Sequence, residues 1–214
     1  MLRGSGIRKS FGQKTVLVNV DITIERGEIV VLTGPSGGGK TTLLRCLSLL
    51  EPPDGGTIEL DDIGYSFGDG SDNRKRIPYP AVTIVFQQLF LWPHLTNRDN
   101  VLLSMPSAEE PYFEDLLDRF EMREFIDNYP NQSSLGQKQR VALTRAFVLA
   151  PTYILLDEAT SALDDDRVAV VVEELMKLKQ KRTGMLLITH STDLAKEMGD
   201  RFLKLERGTV RPVS

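Results

Sequence analysis

A single cysteine, Cys46, excludes any disulfide within the chain and with it the small cross-linked scaffolds of oxidising compartments. An excess of basic residues is also missing. The 26 Lys and Arg stand against 30 Asp and Glu, and a formal charge of −4 argues against a nucleic-acid partner, which needs a basic surface. The one run of cations, Arg74-Lys75-Arg76, lies beside Gly and Asp and reads as a solvated loop. The opening Met1-Leu2-Arg3-Gly4-Ser5-Gly6 lacks the apolar core of a secretory signal. A transmembrane run is lacking too. The uncharged stretch Ile77–Asn97 invites that reading, but Pro78, Pro80, Gln87, Gln88, Pro93 and His94 break or polarise it. Attachment to a membrane is therefore expected only through a partner.

What is present suits a mixed α/β domain. With 214 residues, the chain can form one large domain or a core with a smaller inserted lobe. Apolar residues alternate over Val16–Ile24, the mark of a half-buried strand. Glu28–Thr33, Tyr153–Leu156 and Met185–Thr189 are short apolar runs, as in strands buried on both faces. Thr57–Leu60 and Val82–Phe86 read as further strands, and Phe202–Leu205 with Thr209–Arg211 as a hairpin around Gly208. From Lys40 onward, Leu43, Leu44, Leu47 and Leu50 share a helical face, and Pro52 and Pro53 are expected to end that helix. The segment from Thr96 to about Ala150 is mainly helical in pattern, with Tyr112–Phe120 and Gln137–Ala150 the clearest helices. Arg167–Lys181 carries the stripe Val168, Val171, Val172, Leu175, Leu178.

Gly34-Pro35-Ser36-Gly37-Gly38-Gly39-Lys40-Thr41 fits the phosphate-loop pattern, with a β-run before it and an amphipathic helix after it. Such a loop wraps backbone N–H groups around phosphates, and the helix N-terminus adds a positive dipole end. Lys40 supplies a cation, and the hydroxyl of Thr41 can ligate Mg²⁺. The alternative, a flexible turn before an ordinary helix, does not account for strand, loop, Lys-Thr and helix together. Tyr153-Ile154-Leu155-Leu156-Asp157-Glu158 is an apolar run ending in two acids. Asp157 would then lie near the metal, and Glu158 could polarise a water.

Further elements, in order, resemble the ATP-binding cassette (ABC) family over essentially the whole chain. Phe11 looks like the aromatic that stacks on adenine, and Gln87 like the glutamine that contacts Mg²⁺ and the attacking water. Ser133-Ser134-Leu135-Gly136-Gln137 stands where the family signature L-S-G-G-Q belongs. Ser161-Ala162-Leu163-Asp164 looks like the loop that crosses the dimer interface, and His190 like the switch histidine that senses the γ-phosphate. Read without the family, Ser134 and Gln137 form a capping box at a helix start, a terminus that can receive an anion.

The resemblance implies a P-loop NTPase core with a mainly parallel sheet, an N-terminal antiparallel β-subdomain and an inserted α-helical lobe. It implies one ABC ATPase domain over 1–214, with 1–87 and 151–214 as the nucleotide-binding core and 88–150 as the helical signature subdomain. ATP with Mg²⁺ would be bound by Phe11, Gly34, Ser36, Gly37, Gly38, Gly39, Lys40, Thr41 and Thr42. Thr41, Gln87 and Asp157 would position the metal. Glu158, His190, Gln87 and Lys40 would carry hydrolysis. Ser134, Gly136 and Gln137 would act on the nucleotide of a second ABC ATPase subunit, in a homodimer or a heterodimer, and Asp164 would bind nucleotide at the dimer interface.

The partners implied are that subunit, membrane permeases gripped near Leu89–His94, and a substrate-binding protein, with the chain cytoplasmic on the inner face of the membrane. Leu43–Leu47, Leu50–Gly56 and Phe86–Thr96 are similar to ATPases of polar amino-acid importers. Ser134-Leu135-Gly136 and Asp157-Glu158-Ala159-Thr160 are closer to exporters. The alternatives are an exporter, an ATPase of a cell-division or cell-wall complex, and a regulatory subunit with little hydrolysis. Leu135 replaces the first signature glycine and would be strained if that position needs a positive φ.

Overall fold

Residues 1–68, 78–105 and 110–213 are described by the computed structural model; Arg74-Lys75-Arg76 and Ile77 fall outside them. Two sheets form. The first is antiparallel with order β2-β1-β4-β5, from β1 (Leu2–Phe11), β2 (Lys14–Ile24), β4 (Gly55–Leu60) and β5 (Ile63–Phe67). The second has order β10-β9-β3-β8-β7-β6. Its strands β3 (Ile29–Thr33), β6 (Val82–Val85), β7 (Tyr153–Asp157), β8 (Gly184–Ile188) and β9 (Arg201–Glu206) run parallel, and β10 (Thr209–Pro212) closes a hairpin at the edge.

The continuous apolar runs have a direct explanation. Every residue of β7 and β8 is buried, because the large sheet is covered on both sides. Val30, Leu32, Leu155, Leu186 and Ile188 point into a core shared with the antiparallel sheet and α1 (Lys40–Leu47). Ile29, Val31, Ile154, Leu156, Met185 and Leu187 point the other way. There they meet α3 (Glu110–Arg119), α4 (Leu135–Phe147), α5 (Asp165–Gln180) and α6 (Thr192–Met198). The helices α2 (Asn97–Leu102), α3 and α4 all fall between β6 and β7. No helix of the described residues is long and apolar enough to cross a membrane.

Several expectations shift in detail. Helix α1 ends at Leu47, and Leu49 turns to φ 60, so the exposed Leu50 is not on its buried face. The helix stops through this backbone reversal, before Pro52 is reached. Leu135 is the first residue of α4 and has no positive φ, so the condition under which it would be strained is not met. Strand β1 escaped the pattern because register shifts between Gly4 and Ile7, with Gly6 at φ 61, interrupt its alternation.

Asp61 clasps the two sheets. Its carboxylate accepts from the buried Tyr153 hydroxyl at 2.9 Å and from Arg26 at 2.7 Å. Arg26 holds the Asp61 carboxyl well below the usual range, while burial pushes the Tyr153 phenol up to about 12. A depressed folded-state pKa stabilises the fold above the unfolded value of about 4, and that stability is lost as pH falls below it. Asp61→Asn is expected to cost about 1–2 kcal/mol at pH 7. In urea titrations the gap from the native chain should narrow steadily between about pH 4 and pH 2. A gap that is independent of pH would contradict the clasp.

Candidate active site

The loop between β3 and α1 passes very close to its neighbours. A Cβ on Gly34, at φ 148, would lie 2.3 Å from the Leu205 carbonyl oxygen; one on Gly39, at φ 99, would lie 2.8 Å from Val16 Cγ1. Only glycine meets both demands of space and backbone, which lets the loop curl ahead of the helix. Lys40 opens α1 and is 8% exposed, its ammonium bonded to the carbonyls of Gly34 at 2.9 Å and Pro35 at 3.0 Å. The Thr41 hydroxyl donates to Asp157 Oδ2 at 2.5 Å. Asp157 ends β7 almost fully buried, and that burial raises its carboxyl above the ordinary range against the opposing Thr41 bond.

Glu158 follows in the left-handed region, at φ 52, with its N–H bonded to the Ile188 carbonyl at 2.9 Å. This sparsely populated conformation turns the chain so that adjacent acids serve different places. Gln87 Nε2 donates to Glu158 Oε2 at 3.1 Å, and His190 Nε2 lies 3.0 Å from Oε1. Two elements from opposite sides, the end of β6 and the end of β8, thus converge on one carboxylate.

One cleft of about 500 Å³ gathers Phe11, Ser36, Gly37, Gly38, Gly39, Lys40, Thr41, Thr42, Gln87, Asp157, Glu158 and His190. Phe11 is half exposed at the cleft, with the Lys9 ammonium 5.2 Å from its ring centre. Lys14 and Val16 also line the cleft; sequence reasoning missed both, since Val16 stood out only as the start of a strand and Lys14 not at all. Gly34 does not line the cleft but anchors its loop.

Ser134, Gly136, Gln137 and Asp164 lie apart from the cleft. Ser134 caps α4, accepting from the Gln137 N–H at 3.2 Å while the Gln137 side chain accepts from the Ser134 N–H at 2.8 Å. Ser133 is buried and accepts at 2.8 Å from Asn97, so it fastens the loop from inside. Asp164 caps α5, and with Gln137 it borders a separate polar hollow shared with Arg140 and Arg167. Leu135, 63% exposed, stands on the open surface beside this terminus.

The donor set suits Mg²⁺: a hydroxyl, a buried carboxylate and an amide are hard ligands. Among the described residues no group of three or more His, Cys, Asp or Glu could hold a metal. One hydroxyl, one carboxylate and one amide leave coordination positions for phosphate and water, as Mg²⁺ usually keeps them.

Known proteins resemble the chain along nearly its whole length. Residues 17–161 match the family model described as ABC transporter. The arginine transport ATP-binding protein ArtM of Bacillus subtilis is 38% identical, over 98% of this chain and 89% of that protein. The glutamine transport ATP-binding protein GlnQ of Escherichia coli is 35% identical, over 98% and 89%. A dimeric ATP-binding cassette solved in a post-hydrolysis state with ADP and Pi superposes with a TM-score of 0.85 at 31% identity, covering 100% of this chain and 99% of that one. With the family model matched over more than half of its residues and these relatives aligned along 98% of its length, the chain belongs to the ABC transporter family.

Proposed function

We propose that the chain is the ATP-hydrolysing subunit of an amino-acid importer, working as a homodimer in which each nucleotide lies between two chains. The observation that carries the reading is the Glu158 carboxylate, held at 3.1 Å by Gln87 and 3.0 Å by His190 at the mouth of the phosphate cleft. Phe11 stacks on adenine, and the backbone of 36–42 with the Lys40 ammonium holds the phosphates. Glu158 accepts a proton from water as the water oxygen bonds to the γ-phosphorus and the bond to the β–γ bridging oxygen breaks. His190 orients the γ-phosphate, and Gln87 orients the water. Thr41, Asp157 and Gln87 hold Mg²⁺, which when bound neutralises phosphate charge. Ser134, Gly136 and Gln137 present a helix N-terminus to the partner's nucleotide, and Asp164 lies at the interface.

Residues 1–87 and 151–214 then form the nucleotide core, and 88–150 the signature lobe. An apolar groove of about 510 Å³ between them, lined in part by Phe86, Leu89, Phe90, Trp92 and Arg145, grips the permease. Phe90 and Trp92 are 49% and 40% exposed, an expense of apolar surface that docking explains. The chain sits on the inner face of the membrane through that permease, with a substrate-binding protein on the far side. Amino-acid cargo is supported by the transport named for ArtM and GlnQ.

The test is to capture the tagged chain with its membrane partners and measure ATP hydrolysis by the complex with each amino acid. Stimulation by one amino acid or one chemical group of them is expected. Partners without a substrate pathway, and hydrolysis indifferent to every amino acid, would point to a non-transport complex instead.

A further inference from the structure

Gln139 lies on α4 just past the capping box, and at 2% exposure it is one of the few buried polar side chains near the cleft. Both ends of its amide are bonded outside its own helix. Oε1 accepts from the Ala162 N–H at 2.8 Å, and Nε2 donates to the Glu158 carbonyl at 3.3 Å. The same carbonyl accepts from the Ser161 N–H at 3.2 Å, closing a turn over 158–161. This is the turn in which Glu158 takes its left-handed conformation, one that persists only where its surroundings hold it. The helix also touches the turn through backbone: a Cβ on Gly136 would lie 2.8 Å from the Ala162 carbonyl oxygen.

We infer that Gln139 is a positioning residue for hydrolysis, fixing the 158–162 turn that aims the Glu158 carboxylate and tying that turn to the helix whose N-terminus serves the partner's nucleotide. This rests on the reading of Glu158 as the base. The side chain touches no nucleotide and acts only through the backbone of the turn. A shift of α4 on dimer closure is thereby transmitted to the chain's own carboxylate. Both bonds are needed: one holds the residue that bears the base, the other the loop that follows it.

The test compares Gln139→Glu with Gln139→Met. The glutamate keeps an acceptor for the Ala162 N–H but loses the donor and sets a negative charge against the Glu158 carbonyl. The methionine keeps the volume and loses both bonds. Displacing a reacting group by about 1 Å costs up to about 10²-fold, so kcat is expected to fall by about tenfold to a hundredfold in both variants. The KM for ATP should stay within about twofold, because the phosphate loop is untouched. A purely structural role would lower the melting temperature and leave kcat per folded chain unchanged, and that result in either variant overturns the inference. Should the glutamate variant not fold, the methionine variant decides by the same kcat-against-KM split. Glu158→Gln serves as the control: full turnover there would overturn the reading of the base and the positioning role with it, whereas an inactive Glu158→Gln beside fully active Gln139 variants would overturn the positioning role alone.

Discussion

Glu158→Gln is expected to lower steady-state ATP hydrolysis by about 10²–10⁴-fold while leaving the affinity for ATP near that of the native chain. The amide matches the carboxylate in size and can still meet Gln87 and His190, so the local packing has no reason to change. What it cannot do is accept the water proton as the γ-phosphorus is attacked. The phosphate contacts proposed above lie elsewhere, in the loop after Gly34 and in Lys40, whose ammonium bonds the carbonyls of Gly34 and Pro35. Single-turnover hydrolysis and nucleotide binding, measured side by side, separate the two effects. Loss of binding in parallel with turnover would mean that Glu158 belongs to the nucleotide grip rather than to proton transfer.

The second large effect is on stability and involves Glu174, which is fully buried on α5. Its carboxylate accepts from the Tyr112 hydroxyl at 2.7 Å and from Lys177 at 2.8 Å, and pairs with Arg119. Tyr112 and Arg119 both belong to α3, so this one acid fastens α3 to a helix that follows β7. Removing one member of a buried ion pair costs about 3–5 kcal/mol where it leaves the other charge uncompensated. Arg119 keeps some solvent contact and stays paired with Glu173 and Asp115, so Glu174→Ala is placed below that range, about 2 kcal/mol. For a chain of this size that corresponds to a melting temperature lower by roughly 4–8 °C in calorimetry. A drop of no more than about 2 °C would show the network to be solvated and of little weight.

The sequence made legible those parts whose chemistry is local. The phosphate loop needs glycines, Lys40 and Thr41 in a row between a strand and a helix, and the acids need an apolar strand to carry them, so both can be read from adjacent residues. The capping box of Ser134 and Gln137 was legible for the same reason, since its two bonds span one helical turn. Other features depend on distant parts of the chain. Lys14 and Val16 reach the cleft only because β2 passes beside the loop after β3. Ser133, which stands where the family signature has Leu, meets the buried Asn97 at the start of α2 through its hydroxyl. Strain at Leu135 depended on whether its position needs a positive φ, which only the backbone decides, and that backbone is ordinary helix. Helix α6 carried a usable sign, Ser191 ahead of Leu194, Ala195 and Met198, but its seven residues are too few for periodicity to stand out.

The measurement that bears most directly on the composite site is the specific rate of ATP hydrolysis by the purified chain across a wide range of protein concentration. If each nucleotide is completed by the Ser134 terminus of a second chain, the rate per chain should climb with concentration toward a plateau, and mixing in excess Glu158→Gln chain should alter it by forming mixed dimers. A rate per chain that is constant at every concentration and indifferent to the added variant would show that one chain hydrolyses ATP alone.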